Sequence, residues 1–484
     1  MAYIRKVRTA SNAIAVQIIH KNHGQITKLE HIGSAHNDTD LKTLLALARR
    51  RLLGGQLSLL PKTTKPLKIR LQRSVSQLLF TCLNQLYDQL GFDQLKDDTF
   101  TGLCIARIVE PTSKLDSLRI LEEELGITGF SNTNIHRCLK RIIAKNYRER
   151  VASLCFARAS TGGITLVLYD VTTLYFEAQK EDDYRKPGMS KERRLEPQII
   201  VGLLVDQTGF PLELHSFEGN KAETKTILPV MEAFKAHHNL TDITVVADAG
   251  MLSATNLSAL VTAGYTYIVG SRLSKIPYDI AEYQKTSQLV NDQIITTKTA
   301  IANQRIIYQY REKRAALDLR NIEKQIEKVK KIVNGDTVAK KAKFLSITTK
   351  NKHLNHDLID KAKALVGIKG YVTNLNISDE QIITYYHQLW HVEQSFRMSK
   401  SDLKARPIFH HKRDSIEAHL TIVLAALAIG KTIENRIGMS IKKLVKLLRP
   451  IRNGTVTING IAYPAEAEIP EGVKLILKQL EVGY

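Results

Sequence analysis

Apolar and polar positions alternate at the start of the chain, where residues 3–33 read as short strands. Ala13 to His20 and Gln25 to Ile32 flank Asn22-His23-Gly24, a hairpin signal. Helical spacing follows over 40–53, carrying Arg49-Arg50-Arg51, and a basic connector runs from Pro61 to Lys68. Residues 75–157 are helical. Phe100 to Val109 ends at Glu110-Pro111, Ser113 to Leu125 stops at Gly126, and Ser131-Asn132 caps a helix through Asn146 that carries Arg137, Lys140, Arg141 and Lys145. Short helices ending in a basic one fit a helix-turn-helix-like DNA reader; a small bundle with a solvated basic face is the plainer reading.

The pattern changes over 164–270. Apolar runs 164–169, 198–205 and 211–217 read as strands, the last two joined by the turn Asp206-Gln207-Thr208-Gly209. A helix follows from Glu223 to about Lys235. Strand 243–247 ends at Asp248-Ala249-Gly250, a helix covers 253–262, and strand 265–270 closes the unit. Three strands, helix, strand, helix, strand is the order of a ribonuclease H-like fold. In that fold the first and fourth strands are neighbours, which would set Asp170 beside Asp248.

Residues 275–366 interrupt this order. The helix Arg314 to Val333 mixes charges of both signs, as a solvated or coiled-coil face does. Lys369 to Leu375 resumes as a strand, and Ser378-Asp379 caps the helix that carries Glu393. Residues 415–436 form an apolar helix, Ile441 to Leu448 a basic amphipathic one, and 455–464 a small hairpin. The expected class is α/β. A β region with its connector (1–70) and a helical DNA-binding-like domain (71–160) precede a ribonuclease H-like catalytic domain (161–275 and 367–436). The catalytic domain carries a large insertion (276–366) before its last acid, and a C-terminal basic helix and hairpin (437–484) complete the chain.

Charge narrows the partner. Lys and Arg number 70 against 48 Asp and Glu, a net +22, which favours a polyanion, nucleic acid first and anionic membrane second. The apolar run Leu420 to Gly430 is too short to span a bilayer and reads as a buried helix. Cys82, Cys104, Cys138 and Cys155 are widely spaced, which argues against a disulfide framework or zinc site and makes a reducing cytosol the default. No signal peptide is visible, so a cytoplasmic location is expected.

The candidate chemistry lies in three acids. Asp170 follows Ile-Thr-Leu-Val-Leu-Tyr, and Asp248 follows Ile-Thr-Val-Val-Ala. Glu393 sits on a helix with Tyr386 and Lys400 seven residues to either side, so all three share a face over about 20 Å. Such carboxylates suit two magnesium or manganese ions, about 4 Å apart, that activate water or a 3′-hydroxyl against a phosphodiester. Each acid has a structural alternative: a turn residue at 170 or 248, or a Glu393–Arg397 pair. The loop 184–194, with Arg185, Lys186, Lys191, Arg193 and Arg194, reads as a mobile phosphate-contacting segment. Trp390, the single tryptophan, reads as a core anchor first and a base-stacking residue second.

With these residues the chain resembles the DDE transposases of bacterial insertion sequences, in the branch whose last acid lies in a Tyr-x2-Arg-x3-Glu-x6-Lys signature. Tyr386, Glu393 and Lys400 match its spacing; Leu389 stands where the Arg would be, which leaves His387 or Arg397 for that contact. Leu-Tyr-Asp170-Val-Thr-Thr and Val-Ala-Asp248-Ala-Gly match the first acids. The resemblance extends to Glu-His-Ile-Gly-Ser-Ala-His (30–36) and Arg406-Pro407-Ile408-Phe409-His410. It implies metal-dependent cutting at terminal inverted repeats, attack of the freed 3′-hydroxyl on target DNA, Tyr386 and Lys400 on DNA phosphates, and a homodimer holding two element ends. A regulator derived from a transposase, or a nuclease without strand transfer, are the alternatives.

Overall fold

The computed structural model describes residues 2–10, 13–22, 24–53, 69–161, 163–177, 180–188, 196–251, 253–271, 273, 276–301, 303–337, 342–347 and 352–484. The chain divides into two compact units. The smaller comprises Met1–Arg70 with Thr457–Ile461. In it, strands Ala2–Arg8, Ile14–Asn22 and Gln25–Ala35 form an antiparallel sheet. Helix Asp38–Leu53 covers one face, where Ala48 packs on Val16 and Ile18. The connector 61–68 lies outside the described residues.

The larger unit is built on an eight-stranded sheet. Its strands are β1 (Leu166–Tyr175), β2 (Gln198–Val205), β3 (Pro211–Glu218), β4 (Thr244–Ala247), β5 (Thr266–Ser271), β6 (Ile294–Lys298), β7 (Arg305–Tyr310) and β8 (Ile368–Thr373). The spatial order is β6-β7-β8-β5-β4-β1-β2-β3. β1, β4 and β5 are parallel; every other neighbour is antiparallel. The β3-β2-β1-β4-β5 portion has the ribonuclease H-like order expected from the apolar runs. The hairpin between β2 and β3 turns at Gly209 (φ 82°), with Asp206 Oδ1 accepting from the Thr208 and Phe210 amides.

Three features depart from expectation. β1 does not stop at Asp170 but continues to Tyr175, because its antiparallel partner β2 is longer than its parallel partner β4. Residues 276–366 are not wholly an insertion outside the sheet: β6 and β7 extend it beyond β8. The charge-rich helix α3 (Glu312–Val333) is not merely solvated; Ile322 and Val329 pack with Phe344 and Ile359 in a small core.

Helices α1 (Ile227–His238) and α2 (Ala254–Thr262) connect β3 to β4 and β4 to β5. After β8 come α4 (Asp379–His387), α5 (Trp390–Arg397) and α6 (Arg413–Ile437). α6 is long and apolar enough to cross a membrane, yet 94% of its apolar window is buried inside this unit. It packs on β3 and on helices Asp98–Val109, Asn132–Ala144 and Tyr147–Ser160. Residues 71–160 therefore share one core with the sheet rather than forming a body of their own. The four cysteines are free and buried in that core.

Candidate active site

β1 and β4 run parallel with Tyr169 opposite Ala247, so the next residues on each, Asp170 and Asp248, stand side by side where β4 ends. Parallel neighbours lie about 4.8 Å apart, which places two carboxylates at one sheet position on rigid supports. Asp248 does not cap α2; Ser253 does, accepting from the Asn256 amide. Asp248 instead takes two donors on Oδ1, the Ala249 amide at 2.7 Å and the Tyr386 phenol at 3.1 Å.

The segment carrying Glu393 is not one continuous helix. Ser378 and Gln381 form a capping box at the start of α4, which ends at His387. α5 begins at Trp390, and Met398–Asp402 winds as a π-helix. Tyr386, Glu393 and Lys400 thus fall on three successive segments, and Tyr386 and Lys400 reach different partners. Tyr386 is buried with its phenol on Asp248. Lys400 donates to Thr172, which lies two residues past Asp170 and so on the same face of β1. Glu393 is exposed on α5, which packs across β1 and β2. A π-turn is a common device for re-aiming side chains at functional sites.

A lysine missed by the sequence reading links two of the acids. Lys369, on β8, lies 4.3 Å from the Tyr386 ring centroid, and Asp248 and Glu393 both act on its ammonium. Burial, followed by Arg314, lowers its pKa below the ordinary lysine value against the pull of those two carboxylates. A positive group already sits within electrostatic reach of both acids, and the donors around it are hard oxygens, so the residues fit a divalent cation. The available signal was a lysine inside an apolar alternating strand, Ile-Lys-Gly-Tyr-Val-Thr. Burial, followed by the charge of Asp248, raises the Tyr386 phenol well above its ordinary value, which keeps it a hydrogen-bond donor.

Several basic residues expected on DNA are engaged elsewhere. Arg185 is 5% exposed and clasped by Asp182, with the Phe176 ring beneath it. Lys186 is half-buried, its backbone paired with Gln198, while Lys191, Arg193 and Arg194 lie outside the described residues. Arg141 makes a two-pronged pair with Asp97, both contacts at 2.8 Å, tying the helix to its own bundle. Arg137, Lys140 and Arg397 are exposed. Trp390 is not a core anchor: it is 48% exposed and packs on His391.

Among the described residues, the one group of His, Cys, Asp and Glu whose ligand atoms all lie within 4.8 Å of one another is Glu213, His237 and His238. It is distinct from the three acids. Glu213 is in register with Leu204, and Leu204 with Tyr169, so it lies on the face of the sheet opposite Asp170.

A family profile described as "Transposase DDE domain" matches residues 161–429, more than half of the chain and the whole of the acid cluster. Among solved structures, a piggyBac transposase synaptic complex with hairpin DNA is similar at 10% identity, covering 77% of this chain and 79% of that one with a TM-score of 0.39. A Mos1 transposase paired-end complex with the left transposon end is similar at 14% identity, covering 47% and 66%, with a TM-score of 0.16. No curated protein matches the chain.

Proposed function

The chain belongs to the DDE transposase family, whose members cleave and transfer DNA with divalent metal, and from that premise we propose how this chain does so. Asp170, Asp248 and Glu393 are the catalytic acids and hold two magnesium or manganese ions. The observation that carries this reading is the register that sets Asp170 beside Asp248, with Glu393 and Asp248 both acting on Lys369. Bound there, such ions supply an activated oxygen nucleophile and stabilise the leaving oxygen of a phosphodiester.

The protein's own part is positioning. Two donors on Oδ1 fix the Asp248 carboxylate and leave Oδ2 to face a cation. Lys400 pins the π-turn to Thr172, which holds α5 over β1 and aims Glu393. Lys369 balances the acids' charge until the ions arrive. Exposed Arg397, Arg137 and Lys140 line up the phosphate backbone by charge, and Trp390 offers a stacking face beside Glu393. The chain comes from a bacterial insertion sequence of the Tyr-x2-Arg-x3-Glu-x6-Lys branch and works in the cytoplasm. It binds the terminal inverted repeats as a homodimer.

The test is cleavage and joining on a labelled duplex carrying the element's own end, with magnesium or manganese, for wild type, Asp170→Ala and Glu393→Gln. Metal-dependent cut and joined products lost in both variants, with end binding retained, support the reading. Cut products without joining would make the protein a nuclease. Binding without any product in the wild type would make it a regulator.

A further inference from the structure

Beside the acid cluster, within the larger unit, a cavity of about 930 Å³ is lined by Arg107, Lys114, His410, His419, Lys404 and Arg406 among others, and by no carboxylate. Arg107 and Lys114 are 7% and 8% exposed, and neither has an acidic partner among the described residues. Among the described residues, the side chain within hydrogen-bond reach of both is His419: its Nδ1 lies 3.3 Å from Lys114 Nζ and 3.5 Å from an Arg107 nitrogen. The other ring nitrogen of His419 lies 3.1 Å from the Ala405 carbonyl and donates to it, which leaves Nδ1 as a neutral acceptor. His419 therefore orients two buried cations without neutralising them.

Buried cations without counter-ions are costly, and most of the guanidinium's donors remain unspent. Burial, then Arg107, holds the Lys114 pKa well below its usual value, the response of an ammonium that lacks an anion. Two helices add their positive ends, since Asn132 in the first turn of Asn132–Ala144 and Ser415 in the first turn of α6 both line the cavity. Lys400 lines it too, and the same residue donates to Thr172 beside Asp170, so the cavity opens within one side chain of the acids.

We infer that this cavity is a phosphate pocket that takes one phosphate of the bound DNA next to the reacting centre, gripped by Arg107 and Lys114. The assignment of that phosphate to DNA rests on the transposase reading; the oxyanion site itself does not.

The experiment has two arms, with Lys114→Met and Arg107→Met beside the wild type. In the first, inorganic phosphate is titrated against the thermal midpoint at constant ionic strength set with sodium chloride. The wild type should gain stability with phosphate. Lys114→Met, which replaces an unpaired buried charge by a methylene chain of similar size, should melt no lower than wild type without phosphate and lose the gain. A wild type indifferent to phosphate, or a Lys114→Met protein with the full gain, would overturn the pocket. In the second arm, binding of element-end DNA is followed against salt. The slope of log affinity on log salt should fall by about 0.9 in each variant, the loss of one phosphate contact. An unchanged slope with an intact response to inorganic phosphate would overturn the DNA assignment and leave a site for free phosphate. A protein that takes phosphate yet never cuts DNA would sink the transposase mechanism and not the pocket. If Arg107→Met fails to fold, the Lys114→Met pair of readouts still decides.

Discussion

The Tyr386 phenol donates to Asp248 at 3.1 Å, joining positions 138 residues apart in the chain. In the proposed mechanism this bond makes Tyr386 a positioning residue for Asp248. Tyr386→Phe keeps the ring against Tyr371 and Lys369 and removes only the donor. Cleavage should fall by about tenfold or more, the effect of about 1.4 kcal/mol at the transition state, while end-DNA binding stays within about twofold. Single-turnover cutting and equilibrium binding on one DNA check this; a variant that loses binding instead would restore Tyr386 to a phosphate contact.

Gly270 on β5 is the reason Tyr386 reaches Asp248. A Cβ there would sit 2.5 Å from the phenol oxygen and 3.2 Å from the Ala249 amide, and both groups serve Asp248. Gly270→Ala should therefore reduce cutting at least as much as Tyr386→Phe, with an overpacking loss of about 1–3 kcal/mol in stability. Denaturant melts beside cleavage rates test it. If Tyr386→Phe restores stability to Gly270→Ala but not activity, the clash is confirmed as local.

The strand order was legible because β1 to β5 are short, nearly uninterrupted apolar runs with a turn residue at each end; that order alone set Asp170 beside Asp248. β6 and β7 were not, since Ile-Ile-Thr-Thr-Lys and Arg-Ile-Ile-Tyr-Gln-Tyr owe their strand state to pairing, β6 with β7 and β7 with β8, rather than to pattern. The breaks at His387 and Met398 carry no proline or glycine, so periodicity ran a single helix through them. Arg141 and Arg185 show the limit of reading charge as contact. The first is taken by Asp97, 44 residues away, which no local pattern reveals. The second is taken by Asp182 three residues before it, which local spacing did offer.

Lys369 stands where the acids need a cation. Lys369→Met removes a charge that Asp248 and Glu393 both feel, so a divalent ion no longer competes with it. The manganese concentration giving half-maximal cutting should drop by about threefold to tenfold. A metal titration of the cleavage rate measures this directly. An unchanged or higher requirement would show that the ammonium does not share the acids' field.

On the opposite face of the sheet, Glu213 accepts from His215 and His237 at 2.7 Å and from His238 at 3.1 Å. Burial alone would raise its carboxyl; the imidazoles of His215 and His238 overcome that and hold it down to about 2, from an ordinary 4.5. A carboxylate with a depressed folded-state pKa stabilises fully above its unfolded value and loses that contribution as pH falls through the folded one. The window is thus pH 4.5 down to 2, and the contribution is about 2 kcal/mol once exposure of two of the imidazoles is allowed for. Denaturant unfolding from pH 6 to pH 2.5 should show a stability loss below pH 4.5 that is smaller in Glu213→Gln by most of that amount. Glu213 pins α1 to β3 on the face of the sheet opposite Asp170, so the variant should cut DNA at the wild-type rate at pH 7. Parallel pH curves for the two proteins would mean that the histidines do not hold this carboxylate ionised.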